Sequence, residues 1–236
     1  IPGPQFVVFT QNHDQVGNRM LGERLSQLVS FEAAKLAAGT VLLSPFIPLL
    51  FMGEEYGETA PFAFFISHLD QELVDAVRRG RHEEFASFAW QGEPPDPQDE
   101  GTFQSAILNY QLRQQGHHQA MLSFYRELIR LRKDHPALAS LSKEDMEVWG
   151  LEKQRILLIR RWCQDEEMVI VLHFGHEQGS ALLPLLPGRW LKQVDSAEER
   201  WRGPGGFAPE ELQSDGEAKL TLPPESLVLY GQWGER

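Results

Sequence analysis

The chain carries one cysteine, Cys163, among 236 residues. No internal disulfide can form, a four-cysteine zinc site is excluded, and a lone thiol fits a reducing cytoplasm, the expected location. Long apolar runs are also missing. The longest candidate, residues 41–52, is broken by Ser44, Pro45 and Pro48 and falls short of the ~18–20 apolar residues of a membrane span. Basic residues are few: 22 Lys and Arg stand against 34 Asp and Glu, a formal net charge of −12. A nucleic-acid surface needs a basic stripe, so neither nucleic acid nor membrane is expected as a partner. His117 and His118 are not followed by metal-ligand spacing, and no metal or cofactor is expected. Neither an initiator Met nor a signal-peptide pattern opens the chain.

A hydrophobic content of 42% with 24% charged residues is that of a folded globular protein, long enough for one large domain or two ordinary ones. Residues 6–10, FVVFT, read as a short, fully buried strand. A helix is expected over 23–40, where Leu25, Leu28, Val29, Leu36 and Ala37 recur at helical spacing with Glu32 and Lys35 off the stripe. Pro45 closes it, and 47–52 gives a second apolar strand. Strand, helix, strand is the βαβ unit of a parallel sheet. Further on, 69–79 reads as a short helix and 92–101 as an exposed loop. A strong helix over 118–133 follows, its apolar face formed by Met121, Leu122, Tyr125, Leu128, Ile129 and Arg132, with Pro136 ending it.

From residue 147 the texture changes. EVWGL, RILLIRRW, EMVIVLHF, SALLPL, RWLKQV, KLTL and SLVLYG are short, β-rich and separated by turn residues. They read as an antiparallel sandwich with its own core, to which Trp162, Trp190 and Trp233 are assigned. The boundary falls near 138–146.

Both early strands run into polar clusters. NHDQVGNR follows the first and GEEYGE the second. Strands joined by a βαβ connection are neighbours, so Asp14 on one side and Glu54 and Glu55 on the other open onto the same face. In parallel barrels that is the catalytic face. Taken alone, a carboxylate in such a place more often caps a helix or solvates a turn; His13 and Asp14 together, after a fully buried strand, favour a site.

FVVFTQNHD resembles the fourth conserved motif of the α-amylase family, on the seventh strand of its barrel, and IPLLFMGEEYGE resembles the eighth-strand motif. With PFAFFISH, RRGRHEEF and LIRLRKDHPAL, their order and spacing are similar to one branch, the maltooligosyltrehalose trehalohydrolases. The resemblance implies an α/β plus all-β chain. Residues 1–140 would be the last two βα units of a (β/α)8 TIM barrel, and 141–236 a C-terminal antiparallel β-sandwich domain. It implies a maltooligosaccharide-type substrate, cut at the α-1,4 bond next to the trehalose end. Asp14 is then the transition-state stabiliser, and His13, Gln15, Gly17, Asn18 and Arg19 bind substrate. Asn12, Glu54, Glu55, Phe64 and Phe65 support the site.

A retaining glycosidase of this family also needs a nucleophile Asp in a G-x-R-x-D motif and an acid Glu, and neither motif is found in the sequence. The chain is therefore expected to be the C-terminal part of a larger enzyme, inactive alone, with the missing N-terminal half as its partner. On that reading Phe6, Val7, Val8, Phe9, Ile47, Leu49, Leu50 and Phe51 lose part of their packing. A branching or debranching enzyme on the same scaffold, or a non-catalytic relative kept for binding or assembly, are the alternatives.

Overall fold

The computed structural model of the chain describes residues 1–86 and 93–233. Gly92, the first residue of the expected 92–101 loop, lies outside them. Two short parallel strands open the structure: β1 (Val7–Val8) pairs with β2 (Ile47–Pro48) in the register Val7 to Ile47 and Val8 to Pro48. Between them lie α1 (His13–Gly17), α2 (Leu25–Leu28) and α3 (Phe31–Leu42). The βαβ connection is therefore present, but its strands are two residues long rather than five or six, and they are not buried. Val7 is 52% and Ile47 40% exposed, and Phe6, Phe9, Leu49 and Leu50 are exposed with them. Only one edge of each strand is paired among the described residues, so no neighbouring strand covers those faces.

The helix expected over 23–40 is broken at Val29 and Ser30. Ser30 takes extended backbone and its Oγ accepts the Ala33 N–H at 2.9 Å, an N-cap that restarts the helix as α3. Lys35, placed off the apolar stripe, is fully buried in α3. Its Nζ donates to the Ser196 carbonyl at 2.5 Å and lies 2.9 Å from Glu32 Oε2, so the charge is paired as burial demands. The carbonyls at the end of α3 have no intrahelical partners, and two arginines from elsewhere supply donors. Arg132 Nη1 reaches Leu42 O at 2.5 Å, and Arg161 Nη1 reaches Leu43 O at 2.7 Å. Burial lowers the pKa of both guanidinium groups, that of Arg161 to about 10.

The next helices are α4 (Gln71–Ala86), α5 (Glu100–Ser105), α6 (Gly116–Asp134) and α7 (Pro136–Ala139). α4 extends past the expected 69–79. Asp70 starts it by accepting the Glu72 N–H at 2.9 Å. Pro136 does not simply end a helix. His135 before it is extended, as a residue preceding proline prefers, and Pro136 then occupies the first position of α7.

Eight antiparallel strands follow. β3 (Met146–Leu151), β4 (Ile156–Cys163), β5 (Glu166–His173), β10 (Ser226–Trp233), β7 (Gly188–Asp195) and β8 (Glu211–Ser214) form one sheet in that order. β6 (Gly179–Leu183) and β9 (Ala218–Leu222) form a second. Between the sheets lies a core of Leu158, Val169, Val171, Leu183, Trp190, Leu220 and Tyr230.

The other face of the large sheet is not solvent. Ile159, Met168, Ile170, Leu227 and Leu229 share a single core with Leu36 and Leu42 of α3 and with Phe124, Leu128 and Leu131 of α6. The expected separate core is thus half of the arrangement; the sheet's second face is the floor under the helices. Gly39 marks how close they come: a Cβ there would stand 2.3 Å from Leu227 Cδ2. Of the three tryptophans assigned to the sandwich core, only Trp190 is fully buried. Trp162 is half-buried beneath Arg160, and Trp233 is 43% exposed.

Candidate active site

The polar cluster after β1 is a short helix, not a loop. Asn12 is its N-cap, extended in backbone, and its Oδ1 accepts the Gln15 N–H at 2.9 Å. That cap places His13 and Asp14 in the first turn of α1. Their side chains are 71% and 70% exposed and touch each other, His13 Nε2 to Asp14 Oδ1 at 3.1 Å. Gln15 and Asn18 are exposed on the same short element. Gly17 lets α1 approach a neighbouring ring, since a Cβ there would lie 3.4 Å from Phe62. Arg19, half-buried, pairs with Glu23 at 3.4 Å.

The loop after β2 packs against this helix. Phe62 N–H donates to Gly22 O at 2.8 Å. Gly22 has φ +66°, and any Cβ there would lie 2.7 Å from the Phe62 backbone, so conformation and space both call for glycine. Phe64 and Phe65 are exposed. The Arg81 guanidinium of α4 sits 4.9 Å over the Phe64 ring and donates to Gly17 O at 3.3 Å. Phe65 packs edge-on against Phe103 of α5 at 5.2 Å. Aromatic faces and the exposed His–Asp pair therefore lie on elements that touch one another.

Glu54 and Glu55 differ. Glu55 is half-buried. Glu54 is buried, accepting from Gln11 Nε2 at 3.3 Å and from Tyr125 Oη at 3.3 Å. Burial pushes its carboxyl up to about 7 against the hydrogen bonds that favour its charge.

Two further groups escaped sequence reasoning. Glu58 is fully buried, and accepts from Tyr56 Oη at 2.8 Å and from the N–H groups of Thr59, Ala60 and Asn109 at 2.7, 2.9 and 2.7 Å. Burial alone would raise its pKa, but the Ala60 N–H, the Tyr56 hydroxyl and the other donors outweigh that and hold it below the usual value. Arg24, also buried, donates to Ala60 O at 2.6 Å and Met52 O at 2.7 Å, tying the start of α2 to the loop after β2. Burial lowers its pKa, with Glu58 the main opposing charge. The GEEYGE run pointed to Glu58 without singling it out. Arg24 gave no signal, because a charge beside an apolar stripe reads as solvent-facing.

An exposed carboxylate can accept from vicinal hydroxyls, the imidazole beside it can donate to them, and aromatic faces can stack on a sugar ring. No family model matches the chain. It is 46% identical over 143 residues to a malto-oligosyltrehalose trehalohydrolase of Brevibacterium helvolum, covering 60% of this chain and 24% of that protein. It is 37% identical over 211 residues to a malto-oligosyltrehalose trehalohydrolase of Deinococcus radiodurans, covering 87% of this chain and 35% of that protein. Among solved structures, a putative α-amylase from Salmonella typhimurium superposes with a TM-score of 0.75 at 36% identity, covering 98% of this chain and 36% of that chain. The chain thus spans about a quarter to a third of these three proteins, and the resemblance read from its motifs is borne out.

Proposed function

We infer that this chain is the C-terminal portion of a retaining glycoside hydrolase of the malto-oligosyltrehalose trehalohydrolase type, within the α-amylase family. Its two parallel strands then stand as the last two of a (β/α)8 barrel, with the antiparallel region as the following domain. The whole enzyme cleaves the α-1,4-glucosidic bond next to the trehalose end of a maltooligosyltrehalose and releases trehalose. The observation that carries this reading is the placement of His13 and Asp14, exposed together on α1 directly after β1, in a chain with this similarity.

The chemistry follows from charge. Cleavage of a glucosidic bond passes through an oxocarbenium-like state in which the ring flattens and carries positive charge. Asp14 accepts from the 2- and 3-hydroxyls of the reacting glucose, and those bonds strengthen as that charge develops. Such bonds contribute to rate rather than to ground-state affinity. His13 donates to the same hydroxyls, Gln15, Asn18 and Arg19 contact neighbouring hydroxyls, and Phe64 lines the site. The nucleophile and the acid/base, ~5–5.5 Å apart in retaining enzymes, come from outside these 236 residues, because no G-x-R-x-D motif stands in the sequence.

In the full-length parent enzyme, Asp14→Asn keeps shape but removes the charge facing the cation. Turnover of maltooligosyltrehalose should fall about 10²–10³-fold with KM nearly unchanged, the size of loss seen when one transition-state contact is removed. Survival of kcat within about tenfold would remove Asp14 from this role.

A further inference from the structure

Asp14 makes no side-chain hydrogen bond among the described residues beyond its contact with His13. Its position is therefore inherited from the backbone of α1, and what fixes the start of α1 fixes the carboxylate. Gln11 stands immediately before the Asn12 cap and is buried. Its Oε1 accepts the Leu25 N–H at 3.0 Å, and its Nε2 donates to Glu54 Oε2 at 3.3 Å. Tyr125, buried on α6 far along the chain, donates its hydroxyl to Glu54 Oε1 at 3.3 Å.

We propose that Gln11 and Tyr125 are positioning residues for Asp14, acting through Glu54. This rests on the proposed role of Asp14 and extends it to two residues that do not face the substrate. The physical case is one of satisfaction. A buried Gln that turned away would strand the Leu25 N–H and one oxygen of Glu54, and unpaired buried polar groups are costly. The backbone entering α1 is thereby locked to the loop after β2 and to α6. A tyrosine suits the third place because its hydroxyl both donates and accepts. The chain of bonds survives whether Glu54 is charged, accepting from Tyr125, or protonated, donating to it. Phenylalanine would serve neither state.

The groups facing Glu54 are Glu55 from its own loop, Arg24 from the start of α2 and Tyr125 from α6. Arg24 favours its charge, while Glu55 and burial oppose it.

The test uses the full-length parent enzyme and reads kcat and KM. Tyr125→Phe and Gln11→Ala should each lower kcat about tenfold with KM unchanged, the split expected when a transition-state carboxylate is displaced and ground-state contacts are kept. Glu54→Ala should lose as much, and Glu54→Gln should recover at least about threefold of that loss, because its amide can donate to the Tyr125 hydroxyl while its carbonyl accepts from Gln11. A wild-type kcat in Tyr125→Phe or Gln11→Ala, or a Glu54→Gln kcat no higher than that of Glu54→Ala, would overturn the proposal. Should Tyr125→Phe fail to fold, Gln11→Ala and the two Glu54 variants decide. An Asp14→Asn enzyme that stays active defeats the functional reading itself. An inactive Asp14→Asn enzyme beside a wild-type-like Tyr125→Phe defeats only this inference.

Discussion

The parallel pair at the front of the chain and the antiparallel sheet at its end are built from similar residues and reach opposite outcomes. β1 and β2 are Val-Val and Ile-Pro, flanked by Phe and Leu, yet they pair over two residues and leave Val7 and Ile47 exposed. β5 and β10, no more apolar in sequence, pair over eight residues and are almost wholly buried. Propensity is the same; closure differs. The large sheet has a second sheet on one face and α3 and α6 on the other. Among the described residues each strand of the parallel pair is paired along one edge only, by the other strand. The candidate catalytic residues sit on the less closed of the two regions.

Hydrogen exchange on the isolated chain should give the largest contrast. Amides of β5 and β10 should exchange at least about a thousandfold more slowly than those of β1 and β2, because exchange there needs opening of the shared core. α3, although it lies between β1 and β2, should follow the large sheet, into whose core Leu36 and Leu42 pack. Equal protection in β1 and β5 would break the comparison and show that the parallel pair is stable by itself.

A paired truncation sharpens it. Leu128, fully buried between α6 and the sheet, should cost about 3 kcal/mol as Leu128→Ala. The same change at half-exposed Ile47 should cost under ~1 kcal/mol. Denaturant midpoints of the two variants report the ratio, and similar losses would mean that β2 is better packed than its exposure implies.

A pH dependence tests the same region. Burial raises the Glu54 carboxyl from 4.5 to about 7, so the folded chain holds a proton that the unfolded chain releases between those values. Its contribution is most favourable below pH 4.5 and is lost as pH rises through 7, at roughly 3 kcal/mol in all. Glu54→Gln has no proton to lose. The stability difference between variant and wild type should therefore grow in the variant's favour from pH 4.5 to pH 8, measured by denaturant unfolding at each pH. A pH-independent difference would show that Glu54 is not strained by burial.

Much of this was legible beforehand because it is local. The βαβ connection, the helix now seen as α6 and the run of antiparallel strands follow from periodicity and turn residues alone. The break before α3 was not, because Ser30 lies within an apolar pattern that continues on both sides and only its cap shows the restart. Among the candidate site residues, the exposed cluster on α1 was visible as a dense polar run. The residues beneath it were not. Gln11 stands just past the expected 6–10 strand and was not singled out, and Tyr125 read as one more member of an apolar stripe; a polar tip on such a stripe was the available clue.

By itself, the sequence determined the order of the main strands and of the long helix α6, the acidic and disulfide-free character of the chain, and the motifs that tie it to its relatives. These depend on which residues adjoin which. Tertiary structure alone decided that Lys35, Arg24 and Glu58 are buried, that the large sheet shares its core with the helices, and that Glu54 is held between Gln11 and Tyr125. The reason is physical. A buried polar group is tolerated only where distant donors or acceptors meet it, and partners more than a hundred residues apart, such as Arg161 and Leu43, leave no mark on the local pattern.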